Sequence, residues 1–240
     1  MPFPTLPRSR YSPGLLARVA TGWQRIASEE RRGVASAAHI AADLAALDAP
    51  PALLAAAARM IADEIHHLDV CASVLDELDP GRRGGALRSV SSRRLNLVPR
   101  APVGEAALAR TLIADYALGK PASAAAFAAA RALSREPLFA WAYTELLHDE
   151  ARHATFGAKT AAWVIRRWSA RERRALWAQA LTASAHAVAA AATSRPHDQE
   201  AESLGLLPAN SDCTLPRWIL PHLAPLGMHP APANEPTLLH

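Results

Sequence analysis

Two short stretches of this 240-residue chain hold the residue types best suited to chemistry. In His148-Asp149-Glu150-Ala151-Arg152-His153, a glutamate and a histidine stand three residues apart. Positions i and i+3 share one face of a helix, so the Glu150 carboxylate and the His153 imidazole can take hold of one metal ion together. A single pair of this kind arises by chance in many solvated helices. Here it is repeated: Asp63-Glu64-Ile65-His66-His67 places Glu64 and His67 at the same spacing, again with an aspartate directly before the glutamate. Helix bundles that hold metals in their core use such a pair from each of two helices and one carboxylate from each of the other two.

The elements that must position these residues are helices. Half of the residues are apolar and alanine dominates them, a composition that favours helix strongly. Asn-Gly and Asp-Gly turns and alternating β-branched runs are missing, so the expected class is all-α. Residues 1–13 read as an extended arm. A first helix is expected from Gly14 to Leu47, with Trp23, Ile26, Glu30, Val34, Ala37 and Ala41 on one stripe. Pro50 and Pro51 end it and open a second, to Leu78, with Met60, Glu64, His67 and Cys71 on one face. Residues 79–102 differ in kind, with two Gly-containing turns and Arg82, Arg83, Arg88, Arg93, Arg94 and Arg100. They read as a long basic crossover between helix pairs. A third helix is expected from Val103 to Ser134, restarted or kinked at Pro121. A fourth follows from Pro137 to Trp168 and a fifth from Ala170 to Thr193. Residues 14–194 thus form one helical bundle. Residues 195–240 read as a proline-rich tail in which Trp218, Ile219 and Leu220 are expected to dock one short segment.

Charge and cysteine usage narrow the class further. The net charge is +4, and all basic residues except Lys120 and Lys159 are arginine, a bias that by itself says little about nucleic acid. Cys71 and Cys213 are isolated, which argues against a disulfide framework and a cysteine-type zinc site. No apolar run at Met1–Pro7 suits a signal peptide, and no uncharged stretch reaches spanning length. A soluble cytoplasmic protein is the expectation.

Two more features complete the pattern. Glu30 lies on the apolar stripe of the first helix while Glu29 points roughly 100° away. The 34 residues from Glu30 to Glu64 allow one helix up, a tight turn and one helix back. Together with the two Asp-Glu-x-x-His segments, Ser28-Glu29-Glu30-Arg31-Arg32-Gly33-Val34 resembles the ferritin-like di-iron carboxylate superfamily, in particular bacterial ferritin-like proteins. The resemblance covers residues 15–170. It implies a ferritin-like four-helix bundle and the metal ligands Glu30, Glu64, His67, Glu150 and His153, with Glu64 and Glu150 bridging. It also implies that Asp63 and Asp149 each fix the ring of the histidine on the opposite helix.

The third helix departs from that pattern. Such relatives carry a Gly-Glu pair thirty residues before the last Glu-x-x-His, and this chain has Gly119-Lys120. An ammonium cannot ligate a cation, and its charge opposes a second metal. Lys120 could replace one metal's charge, as in some metal-free ribonucleotide reductase small subunits that this substitution resembles. A lowered pKa could instead make it a ligand or nucleophile. It could also be a solvated residue at the Pro121 break. Tyr116, one turn earlier, is a candidate redox-active residue or simply a packed one. His66 and His148 adjoin the ligand pairs but point elsewhere.

The expected activity is that of an oxidoreductase: iron, or iron with manganese, would activate O₂ and oxidise a small organic substrate. Lys120 and Tyr116 are the candidate catalytic side chains beside the metal. The competing expectation is a bundle whose degenerate or metal-free site has left it a binding or assembly partner, with the basic loop 79–102 contacting an acidic partner or substrate. A homodimer is expected, and no nucleic-acid or membrane partner.

Overall fold

The computed structural model describes residues 4–82, 103–179, 182 and 198–207, and those residues are helical with short connections. The first long helix, α1 (Pro13–Ala46), starts where Ser12 accepts a hydrogen bond from the Leu15 backbone N–H at 3.2 Å and Pro13 supplies a donor-free first position. It stops at a four-residue turn. Asp48 adopts a left-handed conformation there (φ 51°), which a short polar side chain tolerates, and Pro50 prevents helix continuation. The second helix, α2 (Pro51–Leu78), packs back along α1. The expected crossover at 79–102 lies mostly outside the described residues; its start forms a 3₁₀ turn, Pro80–Arg82.

The third helix, α3, is continuous in three pieces: α-helical Glu105–Thr111, π-helical Leu112–Gly119 and α-helical Lys120–Leu133. The irregularity expected at Pro121 takes the form of a widened segment just before it. Proline brings no N–H and crowds the turn behind it, and a wider turn relieves both. Gly157 on the fourth helix, α4 (Pro137–Val164), fits against this segment. A methyl group at Gly157 would come within 2.8 Å of the Ala117 backbone nitrogen and 2.9 Å of the Leu112 carbonyl oxygen.

Helix α4 ends at Val164, short of the expected Trp168. Ser169 and Glu172 explain the stop: Ser169 Oγ accepts from the Glu172 N–H at 3.3 Å, and Glu172 Oε2 accepts from the Ser169 N–H at 2.7 Å. This reciprocal cap starts a new helix over residues 170–179, so the preceding one must close. Most of the expected fifth helix beyond 179, and the Trp218–Leu220 docking segment, lie outside the described residues. A different part of the tail docks. Its short helix Gln199–Ser203 buries Ala201, Leu204 is buried just beyond it, and the Tyr143 hydroxyl donates to the Gly205 carbonyl at 2.8 Å. At the other end, Leu6 is buried in the arm and Arg8–Arg10 form a 3₁₀ turn.

The buried apolar side chains fall into two clusters along the helices. One gathers Ala37, Ile40, Met60, Leu112, Tyr116 and Ala154, the other Trp23, Ala27, Val70, Phe127, Tyr143 and Leu146. Between them every long helix passes through one polar level: Glu30 on α1, Glu64 and His67 on α2, Lys120 on α3, and Glu150 and His153 on α4. Among the described residues no helix is long and apolar enough to cross a membrane.

Candidate metal centre

At this level, carboxylates and imidazoles are removed from water almost completely. Glu64 and His67 are fully buried, and Glu30, Glu150 and His153 are at most 4 % exposed. Burying such groups is costly unless they are paired, so the pairing must be accounted for atom by atom. His67 Nδ1 lies 3.1 Å from Glu30 Oε2, and His153 Nδ1 lies 3.3 Å from Glu64 Oε1. Both imidazoles therefore turn Nδ1 inward, toward the carboxylates.

Their outer nitrogens face aspartates across the helix pair. His153 Nε2 lies 3.1 Å from Asp63 Oδ2, whereas His67 Nε2 is 3.8 Å from Asp149 Oδ2, beyond hydrogen-bond reach. Arg152 joins the two aspartates, at 2.9 Å from Asp63 Oδ2 and in close contact with Asp149 Oδ1. The surface-exposed His148 also reaches Asp149, at 2.7 Å. Arg152 stands inside the second motif, but its role needs both helices in place and no spacing rule announces it. The remaining motif histidine, His66, sits at the surface 3.3 Å from Glu145.

Lys120 enters from α3. Its ammonium lies 2.8 Å from Glu64 Oε1 and 3.3 Å from Glu150 Oε1, and its side chain is 14 % exposed. Burial opposes its charge, but Glu150, Glu64 and Glu30 outweigh that and raise its pKa well above the ordinary lysine value. The carboxylates around it thus favour the charged ammonium over the neutral amine. Tyr116 is buried one turn before it, edge-on to Phe156 at 6.4 Å between centroids, and burial raises its phenol.

The carboxylates do not titrate alike. Burial raises Glu64 to about 8 against the pull of Lys120, and burial also raises Glu150. For Glu30 burial works in the same sense, but the His67 hydrogen bond and the Lys120 charge prevail and lower it to about 2. Burial lowers the basicity of His153, and the Lys120 charge adds to this, bringing it to about 4. Burial acts likewise on His67, but its Glu30 partner raises it on balance.

Several atoms of the level still lack a hydrogen-bond partner among the described residues: Glu64 Oε2, His67 Nε2, Glu150 Oε2 and His153 Nδ1. Glu64 Oε1 has the Lys120 ion pair without hydrogen-bond alignment. Carboxylate oxygens of Glu64 and Glu150 and the inward His153 Nδ1 left in this state fit a divalent cation, whereas His67 Nε2 faces outward. Glu30, Glu64 and His67 form a buried group that could hold a metal ion, with one donor atom from each within 4.8 Å of the others. Glu150 and His153 adjoin that group on the side where Lys120 sits. Comparison with protein families, curated proteins and solved structures finds no match for the chain.

Proposed function

We propose that the chain is a ferritin-like non-haem oxidoreductase that binds one iron or manganese ion at Glu30, Glu64 and His67. Lys120 supplies the second positive charge of the centre, and the reaction is oxidation of a small organic molecule by O₂. The observation that carries this reading is the buried Glu30-Glu64-His67 group with the Lys120 ammonium between Glu64 and Glu150. Iron or manganese held by carboxylate and imidazole supplies a redox change and open positions for dioxygen.

The chain's own residues do the rest. Glu30, Glu64 and His67 hold the ion, and Asp63 sets the ring of His153 through Nε2. Lys120 offsets negative charge that would otherwise stand unpaired between Glu64 and Glu150. The two apolar clusters keep bulk water from the polar level, which strengthens each of these interactions. Lys120, beside Glu64, and Tyr116, one turn before it on α3, are the side chains proposed to meet the substrate. A homodimer is part of the same proposal.

The Lys120 ion pairs also favour a second reading, in which the site persists metal-free and the bundle serves as a binding or assembly partner, with the basic residues 79–102 as its contact surface. One experiment separates the two. The chain is produced with iron and manganese supplied, and bound metal is measured per chain. About one ion per chain is expected from the one three-ligand group found among the described residues. A folded chain with no iron or manganese above background would remove the oxidoreductase reading and leave the second.

A further inference from the structure

Gly33 stands in the interior of α1, one turn beyond Glu30. It has no left-handed backbone to account for it; the positive-φ glycine among the described residues is Gly205. Glycine in a helix interior shifts the folding equilibrium against the helix by roughly fivefold relative to alanine, so its presence calls for a packing reason. The reason is Glu64. A methyl group at Gly33 would lie 2.7 Å from Glu64 Cδ and 3.3 Å from Oε1, and closer still to Oε2. The three nearest atoms it would meet all belong to that one carboxylate.

We propose that Gly33 is the seat of the Glu64 carboxylate, a positioning residue for the centre. The bare Cα leaves the space between α1 and α2 through which Glu64 extends to Lys120 at 2.8 Å and to His153 at 3.3 Å. The obstructed group is the free end of a side chain, not backbone. A methyl group at 33 therefore leaves the helices packed and displaces the carboxylate. Lys120 then keeps Glu150 at 3.3 Å, while Glu64 loses its place beside both the ammonium and the metal position. Residue 33 thus governs the geometry of a ligand it does not resemble chemically.

The test is a double-mutant cycle on the full chain, read by thermal unfolding without metal. In a Glu64→Ala background, Gly33→Ala should raise Tm by about 2–4 °C, the ordinary gain for this change in a chain of this size. With Glu64 present, that gain should vanish or reverse. Should Glu64→Ala not fold, Glu64→Asp, shorter by one methylene, serves instead and should restore most of the gain. The second measurement rests on the proposed metal centre: cobalt(II) uptake followed by visible absorption, weakened tenfold or more by Gly33→Ala. Equal Tm shifts in the two backgrounds overturn the proposal, as does equal cobalt affinity in Gly33→Ala and a parent that binds it. A coupled cycle in a parent that takes up no cobalt supports the seat and overturns the metal reading alone.

Discussion

Lys120 Nζ lies 2.8 Å from Glu64 Oε1, so a side chain of α3 and one of α2 form an ion pair inside the polar level of the protein. The pair places a fixed positive charge beside Glu64 and Glu150, where a second metal ion would need to be. Two outcomes follow from removing that charge. Lys120→Met should lower the stability of the metal-free protein, by up to about 3–5 kcal/mol where the buried carboxylates stay ionised and by less where Glu64 and Glu150, both raised by burial, take up protons in place of the lost cation. Lys120→Glu should bring metal uptake from one ion toward two, since a carboxylate replaces a repelling cation. Metal stoichiometry and thermal unfolding of the parent and both variants check this. If all three bind the same number of ions and melt together, Lys120 is not the counter-charge of the site.

Asp63 accepts at the outer nitrogen of His153 and is itself held by Arg152. Its effect on metal would pass through the orientation and tautomer of that ring. Because His153 stands outside the three-ligand group, 3.3 Å from the ligand Glu64, Asp63→Asn should weaken manganese or cobalt binding by less than the roughly 10–100-fold expected for the partner of a ligating histidine, while leaving the fold intact. Glu145→Gln, which disturbs only the surface pair with His66, should leave the affinity within experimental error. Similar losses in both variants would point to a general electrostatic effect instead of ring positioning.

The meeting of Glu30, Glu64 and His67 at one level follows from spacing alone. Each glutamate lies on an apolar stripe, and a tight turn at Pro50 returns α2 along α1. Other parts of the site could not be read that way. Arg152 spans Asp63 and Asp149 only because α2 and α4 are neighbours, a fact of tertiary packing. Gly33 carried a signal, since a mid-helix glycine is disfavoured, but the partner that explains it lies 31 residues further along the chain on another helix. The end of α4 was open to sequence reasoning, since Ser169 and Glu172 have the spacing of a reciprocal cap. The widening of α3 was foreshadowed by Pro121 as a break, whereas its close packing against Gly157 is a fact of tertiary structure that no spacing announces.

That approach can be tested directly. A methyl group at Gly157 meets backbone atoms of the widened segment, the Ala117 nitrogen at 2.8 Å and the Leu112 carbonyl at 2.9 Å, and backbone cannot rotate away as a side chain can. Gly157→Ala should therefore destabilise the protein by roughly 1–3 kcal/mol, against the ordinary helix preference for alanine. Urea unfolding is the measurement. A stabilised Gly157→Ala would show that α3 and α4 have room to separate and that the widened segment is not held in place by this contact.

The last prediction concerns alkaline pH and the other end of the bundle. The Tyr11 hydroxyl donates a short hydrogen bond to Glu136 Oε1, tying the N-terminal arm to the start of α4. Burial, then the hydrogen bond and charge of Glu136, raise the Tyr11 phenol from 10.0 to about 12. A group whose pKa is higher in the fold holds its proton longer there than in the unfolded chain. Its contribution is complete below pH 10 and declines as pH rises toward 12, because over that window the unfolded state gives up the proton first. Stability measured by urea unfolding should accordingly fall through this window. Tyr116, whose phenol burial also raises, contributes in the same direction. Tyr11→Phe should therefore be less stable than the parent at neutral pH and should lose stability less steeply above pH 10, without becoming flat. Tyr11 is only partly buried, so solvent screening keeps its share of the slope modest. Parallel slopes for parent and Tyr11→Phe would mean that the arm does not hold this hydrogen bond in solution.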